Sequence, residues 1–150
     1  MDTTVVVAAL GFVSTLLGVW LSARWQRSSA REGQILGAQV RVYGDCATAL
    51  YEYERATFAR ALARIQGFSE EEREALRQEA YRREFTARSA IGQATFLSGN
   101  ERLDGVFESV REHVEALNKT VDRAELDSRH QENLAALKAA LRRVRSEMRH

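Results

Sequence analysis

Hydrophobic and polar positions follow two regimes along the chain. Residues 3–23 read TTVVVAALGFVSTLLGVWLSA without a charged side chain, whereas from Arg24 onward charged and apolar residues interleave at helical spacing. As a helix, residues 3–22 rise about 30 Å, the hydrocarbon thickness of a bilayer. Trp20 and Trp25 sit at the C-terminal edge of the run, where amphipathic rings favour the headgroup level, and Arg24, Arg27 and Arg31 follow. The pattern predicts a transmembrane helix. A cleaved leader needs positive charge before the run and an A-x-A-like exit; here Asp2 precedes it and the exit reads Leu21-Ser22-Ala23. The expectation is therefore an uncleaved single-pass anchor. Its basic flank keeps the C-terminal bulk in the cytoplasm and the N-terminus outside.

After the anchor the spacing is that of amphipathic helices. Val40, Tyr43, Ala47, Leu50, Thr57 and Ala61 form one stripe, and Gly44, Tyr51, Phe58, Leu62 and Ile65 a second. Two stripes predict a long stem helix with two neighbours, bent near Gly33 to Gly37. Gly67 suits a left-handed C-terminal cap, and Ser69-Glu70-Glu71-Glu72 is a capping box opening a second helix to about Leu97. That helix is expected to bury Leu76, Ala80, Ala87, Ile91 and Ala94, with Tyr81 and Phe85 alongside. Ser98-Gly99-Asn100 ends it. A third helix carries Leu103, Val106/Phe107, Val110, Val114, Leu117 and Val121; a fourth carries Leu134, Leu137, Leu141, Val144 and Met148 at heptad spacing. Asp122 to Glu125 and Ser128 to Gln131 both read as capping boxes, so the turn falls within 118–127. The fold class is all-α: an N-terminal transmembrane helix continuing into a stem, with a cytoplasmic antiparallel bundle or coiled coil of about four helices. The expected divisions are 1–23 anchor, 24–66 stem, and 67–150 packing on the stem. In this topology the fourth helix returns the C-terminus toward the membrane.

Composition sharpens the functional classes. In 150 residues, 22 Lys+Arg balance 21 Asp+Glu, and Arg is spread among Glu rather than gathered in a strip, so no nucleic-acid partner is expected. The single cysteine, Cys46, excludes an intrachain disulfide and is most simply a small buried hydrophobe. Asp127-x-x-His130 and Glu147-x-x-His150 have ligand-like spacing but lack the paired motifs and extra Glu of di-iron bundles. No phosphate loop, nucleophile elbow or zinc-protease motif occurs. The expectation is a non-enzyme without metal or cofactor.

Interaction candidates are clearer. Ala8, Gly11, Thr15, Gly18 and Ser22 line one face of the anchor at three-four spacing, and small residues let membrane helices approach closely. They predict a homo-oligomer, a dimer or larger. Trp20, Arg24, Trp25 and Arg27 are the membrane-interface candidates. Tyr53 lies off both stem stripes and is a candidate partner contact, whereas Tyr51 is expected in the core. Arg142, Arg143, Arg145 and Arg149 end the last helix, where they either meet anionic lipid or a partner, or simply complement the helix dipole.

The segment GFVSTLLGVWLSARWQR with the following long helix, in a chain with twenty Arg against two Lys, resembles the small single-pass membrane proteins of high-GC actinobacteria and their plasmids and phages. The resemblance is architectural and implies a bacterial inner-membrane location; it carries over no functional residues. The expected role is a membrane-anchored, self-associating scaffold or adaptor for a cytoplasmic protein. The alternative is a holin-like or toxin-like pore former, which dye leakage on expression distinguishes.

Overall fold

The glycines and polar caps divide the chain into four helices. The structure, a computed structural model, describes the backbone of residues 3–147 and the side chains of residues 33–147. Helix α1 spans Thr3–Ile65, α2 Glu70–Ser98, α3 Glu101–Glu115 and α4 Arg123–Glu147, with one 3₁₀ turn at Ala116–Lys119. Among the described residues there is no strand. The helical backbone of α1 runs through Gly33, Gly37 and Gly44 without a break. Two compact units are present, residues 1–38 and 39–150. The side chains of the anchor expectation, including Ala8, Gly11, Thr15, Gly18, Ser22, Trp20, Arg24, Trp25 and Arg27, lie outside the described residues, as do Met148 and Arg149. Among residues 33–147, whose side chains are described, no helix is long and apolar enough to cross a membrane.

Each boundary has a local cause. Gly67 takes φ +71°, and the Phe68 and Gly67 amides donate to the Ala63 and Arg64 carbonyls, a Schellman ending for α1. The Ser69 hydroxyl accepts from the Glu72 amide while the Glu72 carboxylate accepts from the Ser69 amide at 3.0 Å, so both halves of the box form. Gly99, at φ +60°, closes α2. The Asn100 carbonyl oxygen then caps α3, accepting from Arg102 and Leu103, while its amide donates to Glu147 at 2.7 Å. For α4 the first of the two predicted boxes forms in half: Asp122 accepts from the Glu125 amide at 2.9 Å, the Glu125 carboxylate accepts from the Val121 amide rather than that of Asp122, and Ser128 lies inside the helix.

The second unit is a four-helix bundle made by 39–65 of α1 with α2, α3 and α4. Its directions follow from contacts at the two ends. Near the entry of the chain into the unit, the Tyr43 ring stacks on Phe107 at 5.7 Å and Asn100 reaches Glu147. At the far end Arg64 donates to the carbonyls of Asn118 and Thr120. Thus α1 and α3 run one way, α2 and α4 the other. The core holds Tyr43, Cys46, Leu50, Tyr53, Ala87, Ile91, Leu103, Phe107, Val110, Val114, Leu137 and Val144. A smaller cluster of Ala61, Leu117 and Leu126 closes the far end.

The first α1 stripe holds, with Tyr43, Ala47, Leu50, Thr57 and Ala61 buried, and so do Ala80, Ala87, Ile91 and Ala94 on α2 and Leu103, Phe107, Val110, Val114 and Leu117 on α3. Elsewhere the phase differs. On α1 Cys46, Tyr53 and Ala63 are buried as well, while Val40, Gly44 and Tyr51 face solvent and Phe58, Leu62 and Ile65 are half-buried. On α2 Leu76 is half-buried, and Tyr81 and Phe85 are exposed. On α4 the buried line is Leu126, Asn133, Leu137, Ala140 and Val144; Leu134 is half-buried and Leu141 exposed. Val121 falls in the turn and is also exposed. The physical reason is common to these cases. Large apolar side chains fix a stripe by sequence, but where helices approach closely small residues such as Ala49, Ala63 and Ala140, which lie off the expected stripes, take inside positions too.

Candidate partner-binding surface

The residues singled out by sequence reach different fates. Tyr53 is not a partner contact: it is 2% exposed, because it sits three residues after Leu50 and four before Thr57 on the true inner face. Burial pushes its phenol up to about 12, reinforced by Glu84 and Glu115 nearby. Tyr51, expected inside, is 50% exposed. Arg142, Arg143 and Arg145 are exposed on the last turns of α4, at the end where the chain enters the bundle, and Arg143 lies 3.5 Å from Glu147. Cys46 is fully buried, and burial pushes its thiol up to about 12.

Sequence spacing pointed His130 toward Asp127, but the fold turns it elsewhere. Asp127 pairs with Arg123 at 2.8 Å, while His130 Nδ1 lies 2.7 Å from Glu54 Oε1 on α1. The imidazole also lies against Phe58, with ring centroids 4.7 Å apart. Glu54 is 2% exposed, its Oε2 has no partner among the described residues, and burial raises its carboxyl above the usual range against the opposing His130 hydrogen bond. Asn133, one turn after His130, is also buried, and its side-chain amide nitrogen has no partner among the described residues. A second polar group, Arg111, is held by Glu108 and Glu115 at 2.7 and 3.0 Å from neighbouring turns of α3, with Glu84 of α2 at 3.8 Å. Both arrangements tie helices together. Among the described residues no three or more His, Cys, Asp or Glu side chains are grouped as metal ligands.

The outer seam of α3 and α4 is different in character. A groove of about 400 Å³ runs there, with Val106, Val110, Ala136 and Ala140 as apolar lining. Gly105, Ser109 and Ala139 keep it shallow-walled, and Arg102, His113 and Arg143 are its charged or titratable lining residues. Among the described residues no carboxylate lines it. The groove exists because α3 and α4 meet through small residues, so their backbones approach without filling the outer side of the seam. Such a slot, with an apolar floor and with Arg102 and Arg143 at the end where α3 begins and α4 finishes, fits the apolar face of an amphipathic helix that carries acidic residues at one end. Stripe reading misses it, since Ala136, Ala139 and Gly105 fall outside the large-residue stripes.

No curated protein and no solved structure matches the chain. A family match does exist, and it covers residues 40–148, nearly the same residues as the bundle of the second unit. On that match, across most of its length, the chain belongs to the KilB plasmid transfer protein family.

Proposed function

We propose that the protein is a single-pass, inner-membrane, self-associating helical adaptor that serves plasmid transfer by holding an acidic-ended helix of a cytoplasmic partner in the α3–α4 groove. The observation that carries the reading is the groove itself: an uncovered apolar slot whose charged lining is basic, on a bundle that has closed its own core. The family match supports the process and the plasmid association expected from the resemblance. The anchor rests on the charge-free run 3–23 and its basic exit. The exposed Arg142, Arg143 and Arg145 lie at the end of the bundle nearest in sequence to that anchor, which suits contact with an anionic leaflet.

The test is photocrosslinking in plasmid-bearing cells, with a photoreactive residue at Ala139 in the groove or at Glu112, exposed on α3 outside it. A single protein adduct from position 139 and none from 112 is expected. Arg102→Glu with Arg143→Glu removes that adduct and lowers transfer at least tenfold, with helicity and melting unchanged. An adduct that survives the charge reversal, or none at 139, overturns the groove assignment. Dye leakage on expression overturns the adaptor in favour of the pore former.

A further inference from the structure

Helix α2 turns Ala80, Ala87, Ile91 and Ala94 into the core. Its opposite face carries Phe85, Ser89, Gly92 and Phe96, spaced four, three and four, so they form one uncharged line along the helix. Phe85 is 75% and Phe96 88% exposed, and Tyr81, one turn earlier, is half exposed beside Arg60. Two phenylalanines this open on one helix face make the kind of apolar patch, a few hundred Å² in size, that on a monomer is often functional.

Gly92 sits near the centre of this line, and, as at the other described helical glycines, no atom of the chain lies within 4 Å of the Cβ it lacks, so the face is open there to close approach from outside.

We infer that this face of α2 is an interface between two copies of the chain. Each copy presents the same uncharged, small-centred line, so the line can pair with itself, as a twofold contact demands. Ser89 and Gly92 let two helix backbones close at the centre, and the Phe85 and Phe96 rings fold into the notch from both sides. The line carries no charge, so pairing sets no like charges directly against each other. The area is of the right order. At about 200 Å² for a whole aromatic side chain, the exposed parts of Phe85, Phe96 and Tyr81 come to roughly 430 Å² per copy, so a pair can remove up to about 860 Å² from these rings, and backbone and polar flanks bring the total toward the roughly 1,000 Å² of a specific interface. The inference rests on the self-associating part of the reading above and names a surface for it in the bundle, independent of the anchor and of the groove.

Cysteine linkage in the full-length chain in membranes tests it, against a background kept quiet by the buried Cys46. Ser89→Cys, at the centre of the face, is expected to form a disulfide-linked dimer, and Thr86→Cys, exposed on the flank, is expected not to. Adding Phe85→Glu and Phe96→Glu should reduce linkage of the Ser89→Cys variant at least tenfold with helicity unchanged. Gly11→Leu with Gly18→Leu, which disables the small-residue face of the anchor, should leave linkage at position 89 detectable. Equal linkage at 86 and 89, or linkage indifferent to the two glutamates, overturns the interface as mere tethering. A thiol at position 89 that neither links nor reacts with a thiol reagent assigns the face to the chain's own covered surface and overturns it too. Loss of the Ala139 adducts with linkage at position 89 intact defeats only the partner groove, and the converse defeats only this interface.

Discussion

Glu54 shows at residue scale how the bundle tolerates a buried charge. One carboxylate oxygen is matched by His130 and the other by nothing among the described residues, and burial raises its protonation range. A raised carboxyl pKa means that the folded state holds the proton more tightly than the unfolded chain does. Stability therefore falls as pH climbs above the ordinary carboxylate value near 4.5 and through the raised one, and the loss is complete above both. Glu54→Gln keeps an oxygen for the His130 Nδ1–H and leaves the second position unpartnered as before, so only the charge changes. The variant is expected to melt with the wild type near pH 4 and about 3 °C higher at about pH 7.5, a gain of about 1 kcal/mol. A difference that does not grow with pH refutes the assignment. Cys46 makes a companion case: with its thiol buried and pushed up to about 12, it should resist a disulfide-exchange reagent in the folded protein and react within minutes in guanidinium.

At the scale of elements, what was legible in the sequence was what depends on neighbours in the chain. The Ser69–Glu72 box, the Gly67 and Gly99 terminators and the Asp122 cap are all local hydrogen-bond patterns, and all form where the residues stand. The phase of α3, and most of that of α1 and α2, was legible too, as Phe107, Leu50 and Ile91 show; on α4 and around Tyr53 it was not, because there it is decided by neighbours in space. Asn133 and Ala140 take the inside of α4 in place of Leu134 and Leu141, and Tyr53 takes the place of Tyr51, since close helix approach selects by fit rather than by hydrophobicity alone. The groove was hidden for the same reason. Asn100 joins the two kinds of information: its side chain caps α3 and also reaches Glu147 on the last turn of α4. Asn100→Ala should therefore cost about 2 kcal/mol, the cap plus a hydrogen bond to a charged group, whereas Asn100→Ser should keep the cap and lose the tie to Glu147. Gly99→Ala, forced to hold φ +60°, should cost about 1 kcal/mol. Chemical denaturation of the three variants separates these terms, and equal losses for Asn100→Ala and Asn100→Ser would show that the cap contributes nothing.

For the whole molecule the decisive fact is that three divisions nearly coincide. The compact unit 39–150, the family match at 40–148 and the polar part of the sequence begin within about one helical stretch of one another, after the charge-free run. The bundle has its own core, with both ends tied, from Tyr43 against Phe107 at one end to Ala61, Leu117 and Leu126 at the other. It should thus fold without residues 1–38. A fragment 39–150 is expected to give a helical spectrum and a single cooperative melt, since the core residues from Tyr43 to Val144 all belong to it. The full chain should differ from the fragment in where it stays. After alkaline carbonate extraction it should remain with the membrane pellet, because about 20 apolar residues resist a wash that removes peripheral proteins, whereas the fragment should be released. If the fragment also pellets, the basic end of α4 is sufficient for attachment, and Arg142→Glu with Arg145→Glu should release it. If the full chain is released, the apolar run does not anchor, and the adaptor reading loses its membrane while keeping its bundle.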